Sequence, residues 1–283
     1  MLRIDSHQHF WIYNPERQNW MTDEMGVLKK DFVPADLSAL LAECSIDGSV
    51  AVQASQAEVE NEFLLDLASK SSLIKGVVGW VDLQSSTVTE RLSYYSTQKK
   101  MRGFRHVIHD EPDINFMLRP SFLRGIRALR AYEFTYDLLI YPVHLPNALQ
   151  LVRQFPEQPF VIDHIAKPNI GKGQLFEWKK HLAALAGIPN VSCKISGMVT
   201  EARWKNWKQT DFFPYLDTIV ELFGIKRILY GSDWPVCTLS ASYSETYGIV
   251  KTYFDSFSRG EQDDFFGGNA IRFYGLTNDE GLP

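Results

Sequence analysis

Met1-Leu-Arg-Ile-Asp5-Ser-His7-Gln-His9 opens the chain. A short apolar-leaning run passes directly into two histidines spaced H-x-H. In an extended backbone, residues i and i+2 point to the same face. His7 and His9 therefore aim two imidazoles at one point, with Asp5 on the same parity. Such a pair suits a metal ion or a developing negative charge on a substrate. Read alone, the stretch is equally a hydrogen-bonded pair near an N-terminus, so its meaning depends on what the rest of the chain brings to it.

Working outward, the same design recurs: a short apolar run, bounded by turn residues, that ends in polar side chains. The second strand is Gly48-Ser-Val-Ala-Val-Gln53 and the third Gly76-Val-Val-Gly-Trp-Val81. Arg102-Gly-Phe-Arg105 is a short fourth, Phe134 to Ile140 a fifth, and Pro159-Phe-Val-Ile-Asp-His164 a sixth. Asn190 to Ile195 and Arg227-Ile-Leu-Tyr-Gly231 complete the set. Between them lie helical patterns. Pro34 opens one whose Leu37, Leu40, Leu41 and Cys44 fall at i, i+3, i+4 and i+7. Others lie around Val59–Leu67, 87–97, 121–132, from Pro146, around Leu175–Leu185, from Leu216 to a Gly224 cap, and near 243–257, with short helices in 261–276. Residues 10–33 show no period. Near-continuous apolar strands joined by helical crossovers mean a parallel sheet. Eight such units favour a closed (β/α)8 TIM barrel, an α/β single domain over 1–283, rather than an open doubly wound sheet, and no G-x-G-x-x-G follows the first strand.

Bulk properties narrow the function classes. The net charge of -5 and the absence of a basic stripe argue against nucleic acid as a partner. No apolar run approaches a membrane span, so no membrane partner is expected. Cys44, Cys193 and Cys237 are widely spaced, odd in number and form no C-x-x-C pair, which reads as reduced thiols. With no signal-peptide pattern at the start, a cytoplasmic location is expected. Oligomeric state is not readable from the chain.

In a (β/α)8 barrel, chemistry sits at the C-terminal ends of the strands. Strand one delivers His7 and His9, strand two Gln53, strand three Trp80 and Asp82, and strand four Arg105 and His106. Strand five ends in Ile140-Tyr141 with His144 beyond. Strand six ends in Asp163 and His164, strand seven in Lys194 and Ser196, and strand eight runs into Ser232, Asp233 and Trp234. Independent strand ends thus bring His7, His9, His106 and His164 to one rim. Packing does not explain so many polar groups there.

His7-Gln-His9, His164 and Gly231-Ser-Asp233-Trp-Pro-Val, with Lys194-Ile-Ser-Gly197 and the tail Gly268 to Gly275, resemble the amidohydrolase superfamily. Within it the chain resembles the amidohydrolase-related sugar-lactonase branch, whose members include L-fuconolactonase, L-rhamnonolactonase and dicarboxylate-pyrone lactonases. The likeness spans essentially the whole chain. It implies that His7, His9, His164 and Asp233 bind metal, position substrate or activate water. Two departures count against a two-metal site: Arg105 and His106 stand where a bridging Lys or Glu belongs, and strand five lacks its histidine. The resemblance leaves His7, His9 and Asp233 as the ligand set for a single zinc, and Arg105 as a charge that would repel it. The reading expects either that no cofactor is required or that one divalent metal, zinc, is bound.

The expected reaction is hydrolysis of a sugar-acid lactone, an aldonolactone such as L-fucono- or L-rhamnonolactone. Asp233 is the expected general base, with His7, His9 and His164 polarising the carbonyl. Arg105, Lys194, Trp80, Gln53, His106 and Trp234 are the expected substrate-binding residues, although Lys194 reads equally as one half of a salt bridge with Asp163. Trp11, Trp20, Trp80, Trp204, Trp207 and Trp234 lie in or beside loops on that rim, which suits the C–H face of a sugar ring. A dicarboxylate would call for more arginines than Arg105, with Arg119 and Arg203 the nearest reinforcements. The alternatives are a metal-dependent non-oxidative decarboxylase on the same barrel and a non-catalytic sugar-acid binding barrel.

Overall fold

A computed structural model describes residues 1–277; the last six residues of the expected domain span, 278–283, lie outside the described residues. Among the described residues eight strands form one sheet in sequential order, every neighbouring pair parallel. They are β1 (Ile4–Gln8), β2 (Gly48–Val52), β3 (Ile74–Gly79), β4 (Met101–Val107), β5 (Thr135–Leu139), β6 (Phe160–Ile162), β7 (Val191–Ile195) and β8 (Ile228–Tyr230). The chain is a (β/α)8 barrel. Against the sequence reading, β3 begins two residues earlier and β4 extends through Val107. β4 is held at full length by five aligned residues paired to β5, from Gly103–Thr135 to Val107–Leu139. Arg102, Arg105 and His106 interrupt its apolar residues and conceal that length from a pattern of apolar runs.

The helices coat the outside for the usual reason. In Pro120–Arg130, Phe122, Ile126 and Leu129 are buried while Arg124, Arg127 and Arg130 stay exposed. Burying each such side chain contributes about 1.5–3 kcal/mol. Pro34 and Pro120 occupy first turns, where a missing N–H costs nothing, and Gly224 ends its helix at φ +64°.

Inside the barrel, Ile4, Val50, Val52, Val78, Val161 and Leu229 form an apolar layer. Ala270, Tyr274 and Leu276 of the C-terminal segment close it. The β1–β8 seam is closed differently from the other seven junctions. His9 N donates to Trp234 O at 2.7 Å, Asp233 N to His7 O at 2.8 Å, and Ser6 Oγ to Tyr230 O at 2.5 Å. The Asp5 carboxylate completes it, accepting from Ser232 N at 2.9 Å, His7 N at 3.1 Å and Tyr243 OH at 3.1 Å. Asp5 therefore clamps the seam rather than joining the histidines. Burial pushes its pKa up to about 6, against the pull of those hydrogen bonds.

The aperiodic stretch 10–33 folds over this seam. Trp11 and Phe32 exchange backbone hydrogen bonds at 3.0 and 2.9 Å, and the Trp11 indole donates to Lys30 O. Phe32 stacks edge-on against Trp234 at 5.3 Å. Period-based reading misses such a segment because aromatic clustering, not a repeating face, holds it. No helix among the described residues is long and apolar enough to cross a membrane.

Candidate active site

A cleft of about 770 Å³ opens at the C-terminal ends of the strands, and His9, Arg105, His164 and Asp233 line it. Asp233 is its centre. One carboxylate oxygen, Oδ1, faces three imidazole nitrogens: His9 Nε2 at 3.3 Å, His164 Nε2 at 3.8 Å and His7 Nε2 at 3.9 Å. Residues separated by more than 200 positions in sequence meet here because β1 and β8 are the two ends of a closed sheet.

Local backbone and packing set each group. Asp233 sits at φ +60°, a conformation that Asp tolerates better than most residues. Gly231, just before it, lets β8 pass the β1 backbone, since a Cβ there would lie 2.7 Å from His7 Cβ. His164 begins a run of four non-glycine residues with positive φ: His164 at 53°, Ile165 at 49°, Ala166 at 61° and Lys167 at 48°. Left-handed backbone costs an L-residue roughly 1–2 kcal/mol, so the turn holds several kcal/mol of strain. It swings both His164 and Lys167 onto the cleft wall. Gly197 makes the room; a Cβ there would lie 2.6 Å from His164 Nδ1.

Partners fix the imidazole protons. His9 Nδ1 lies 2.8 Å from Val52 O, which can only accept, so Nδ1 carries the hydrogen and Nε2 faces Asp233. His7 Nε2 lies 3.2 Å from Arg105 Nη1, which can only donate, while its Nδ1 faces Asp163 Oδ1 at 3.3 Å. His7 is thus held between donors and an acceptor, since Lys194 Nζ also stands 3.1 Å from Nδ1. Burial drives its pKa well below the ordinary histidine value, outweighing the pull of Asp163. Burial does the same to His164, whose Nδ1 lies 2.9 Å from Ser196 Oγ. Burial alone would raise the pKa of Asp233, but His164, His9 and Lys167 outweigh it and hold the carboxylate below its usual range.

Beneath the cleft lies a charged floor. Lys194 Nζ bonds Asp137 Oδ2 at 2.5 Å and Asp163 Oδ1 at 3.0 Å, and stands 3.1 Å from His7 Nδ1. Arg105 Nη1 bonds Asp163 Oδ2 at 3.1 Å, and its Nη2 bonds both oxygens of Gln53. Tyr274 OH donates to Asp137 Oδ2 at 2.8 Å, linking this floor to the apolar layer. Burial pushes Asp137 up to about 6, while for Asp163 burial is overcome by Lys194, His7 and Arg105, which keep it well below the carboxylate range.

The expected substrate-binding residues divide accordingly. Arg105 lines the cleft; Lys194, Gln53, Trp80, His106 and Trp234 are not among its lining residues. Lys194 is fully buried in the floor, and Gln53 holds Arg105. The Trp80 indole donates to His106 Nδ1 at 3.2 Å, and His106 Nε2 donates to Glu111 Oε1 at 2.7 Å while the ring stacks on Phe116. Trp234 packs edge-on between Phe10 and Phe32. His144 spends Nδ1 on the Tyr141 N–H. Trp20 and Trp204 do line the cleft, while Trp207 and Arg203 line a separate one and Arg119 pairs with Asp113. The cleft also recruits Arg17, His109, Tyr141, Lys167 and Glu201, to which the sequence reading gave no role. Lys167 and Arg17 had no signal, because neither follows an apolar strand directly.

Among the described residues, His7, His164 and Asp233 each offer a ligand atom within 4.8 Å of the others. Two imidazoles and a carboxylate with an open side fit a divalent cation in donor type and number. This group holds His164 where the sequence suggested His9, whose Nε2 also lies 3.3 Å from Asp233 Oδ1. Arg105 stands on the nitrogen of His7 that faces Asp233.

The amidohydrolase family model matches residues 4–276. The chain belongs to the amidohydrolases. Within that family it is 38% identical to an L-fucono-1,5-lactonase of Burkholderia multivorans, covering 97% of this chain and 96% of the relative. It is 34% identical to an L-fucono-1,5-lactonase of Burkholderia ambifaria, covering 99% and 97%. The solved structure of a Burkholderia multivorans amidohydrolase with bound zinc superposes with a TM-score of 0.95 at 38% identity, over 98% of this chain and 100% of that one. An amidohydrolase cleft lined by an ionised carboxylate and imidazoles can perform hydrolysis of an activated carbonyl.

Proposed function

We propose that the protein hydrolyses a sugar-derived lactone, L-fucono-1,5-lactone or a close stereochemical relative, with Asp233 as the general base. The observation that carries this reading is the single oxygen Asp233 Oδ1 facing three imidazoles in the cleft, in a chain a third or more identical, end to end, to two L-fucono-1,5-lactonases.

Lactone opening requires a positioned water, a place for negative charge on the carbonyl oxygen, and a proton for the departing ring oxygen. Asp233 is ionised across the physiological range and accepts the proton of the attacking water. It then returns that proton to the ring oxygen as the C–O bond breaks. Its basicity as a free carboxylate is low, so its contribution comes from position: His9 and His164 fix the direction of Oδ1. Arg105, which lines the cleft beside His7 Nε2, is the donor for the developing oxyanion. His7, His164 and Asp233 would hold a divalent cation, which when bound supplies Lewis-acid polarisation of the carbonyl. The decarboxylase alternative has less support, because the relatives at 34–38% identity are lactonases.

A panel of L-fucono-, L-rhamnono-, L-galactono- and D-arabinonolactone, followed by proton release with and without a chelator, tests the reading. Hydrolysis of at least one member is expected, with at least half the rate surviving chelation. Inactivity on every member, together with metal-dependent loss of CO2 from an aromatic acid, would overturn it.

A further inference from the structure

The strained turn after β6 ends on Lys167, whose charge helps keep Asp233 ionised while its ammonium is bonded elsewhere. Lys167 reaches Glu201 Oε1 at 2.5 Å across the cleft wall, with side-chain exposures of 15% and 19%. Both residues line the same cleft as His9, His164 and Asp233. An ion pair that is still part-solvated contributes little to stability, so stability does not account for its place on the cleft wall. An ammonium has three donors and a carboxylate about four acceptor sites, so one mutual contact leaves capacity on both. Two aromatic rings flank the pair on the cleft wall: Tyr141, tilted against His109 at 4.7 Å, and Trp204, whose indole is fixed by Thr200 O at 2.9 Å.

We propose that Lys167 and Glu201 are the specificity-determining pair of the cleft: the ammonium donates to one ring hydroxyl of a polyhydroxylated lactone, and the carboxylate accepts from the neighbouring hydroxyl. The proposal rests on the lactone-hydrolase reading. Each sugar hydroxyl is both donor and acceptor, so adjacent hydroxyls complement a fixed donor–acceptor pair, while the aromatic faces receive the ring's C–H surface. A substrate carboxylate at the same place would meet Glu201, so the pair selects neutral polyols over dicarboxylates. A lactone without hydroxyls leaves both charges unserved, and sites of this kind discriminate strongly against analogues lacking the group they bind.

The test compares L-fucono-1,5-lactone with δ-valerolactone, which has the same ring size and no hydroxyls. Glu201→Gln is expected to lower kcat/KM for the sugar lactone by roughly 10²-fold while changing that for δ-valerolactone by less than about threefold, and Lys167→Met, which also removes a charge that keeps Asp233 ionised, is expected to lower the ratio of the two kcat/KM values by roughly 10²-fold. The corresponding lactams, titrated calorimetrically, should show the same contrast as dissociation constants, and circular dichroism shows that each variant is folded. Equal loss on both substrates, or no loss on either, overturns the pair's role. A wild-type protein inert toward both lactones overturns the hydrolase reading beneath it, whereas an active wild type whose variants keep its preference overturns the pair alone.

Discussion

Two charged clusters share the upper barrel, and they differ in where their bonding capacity goes. In the floor, Lys194, Asp137 and Asp163 are completely buried and close on one another at 2.5 and 3.0 Å, with Arg105 joining at 3.1 Å. Around Asp233, three imidazoles stand 3.3 to 3.9 Å from one carboxylate oxygen, and His9, His164 and Asp233 line the cleft. The floor pairs its charges with one another, although Asp137 Oδ1 and Arg105 Nε keep no hydrogen-bond partner; the cleft cluster is spaced more openly and borders the cavity. The difference teaches that strand-end position alone does not separate chemistry from support, because Lys194 and His164 both leave apolar strands at the same rim.

Three changes would break or sharpen that contrast. The largest effect is expected at the open cluster: Asp233→Asn should lower kcat by about 10³–10⁴-fold with an unchanged circular-dichroism spectrum, since it removes the base and keeps the shape. Retention of more than a tenth of the activity would dissolve the distinction between the clusters. Next comes the closed cluster. Lys194→Met strands two buried carboxylates, and chemical denaturation should show a loss of about 3–5 kcal/mol. Lys194→Met combined with Asp137→Asn should recover part of that loss. A loss below about 1 kcal/mol would mean that the floor is not a sealed ionic cage.

The smallest effect concerns pH. His7 and His164 have folded pKa values pushed well below 6.5, so both remain neutral as pH falls through the ordinary histidine range. Asp233 is lowered below its usual value, so its basic form persists further into acid than a free carboxylate would. The acid limb of kcat/KM should therefore lie at or below about pH 4, with less than about a threefold change between pH 5.5 and 7.5. A limb centred near 6.5 would assign the base to a histidine instead.

Much of this site is readable in the chain. The eight strands announce themselves through local apolar runs, and His7, His9, His164 and Asp233 follow those runs directly, so barrel topology alone brings them to one rim. Other residues at equivalent positions proved to be supports. Trp80 and His106 bond each other and Glu111, and Gln53 is the holder of Arg105. Nothing in their own sequence context distinguishes them, because the partner that claims each one comes from another element.

Sequence by itself determined the barrel, the identity of the converging strand ends and the candidate base, since apolar period and strand-end polarity are local properties of the chain. Tertiary structure alone decided which of those polar groups face the cleft, which partners each imidazole meets, and that Lys167 and Glu201 meet on the wall. Those outcomes depend on a left-handed turn and on contacts between distant strands, and neither a backbone dihedral of that kind nor a partner on another strand is encoded in the spacing of residues along a single segment.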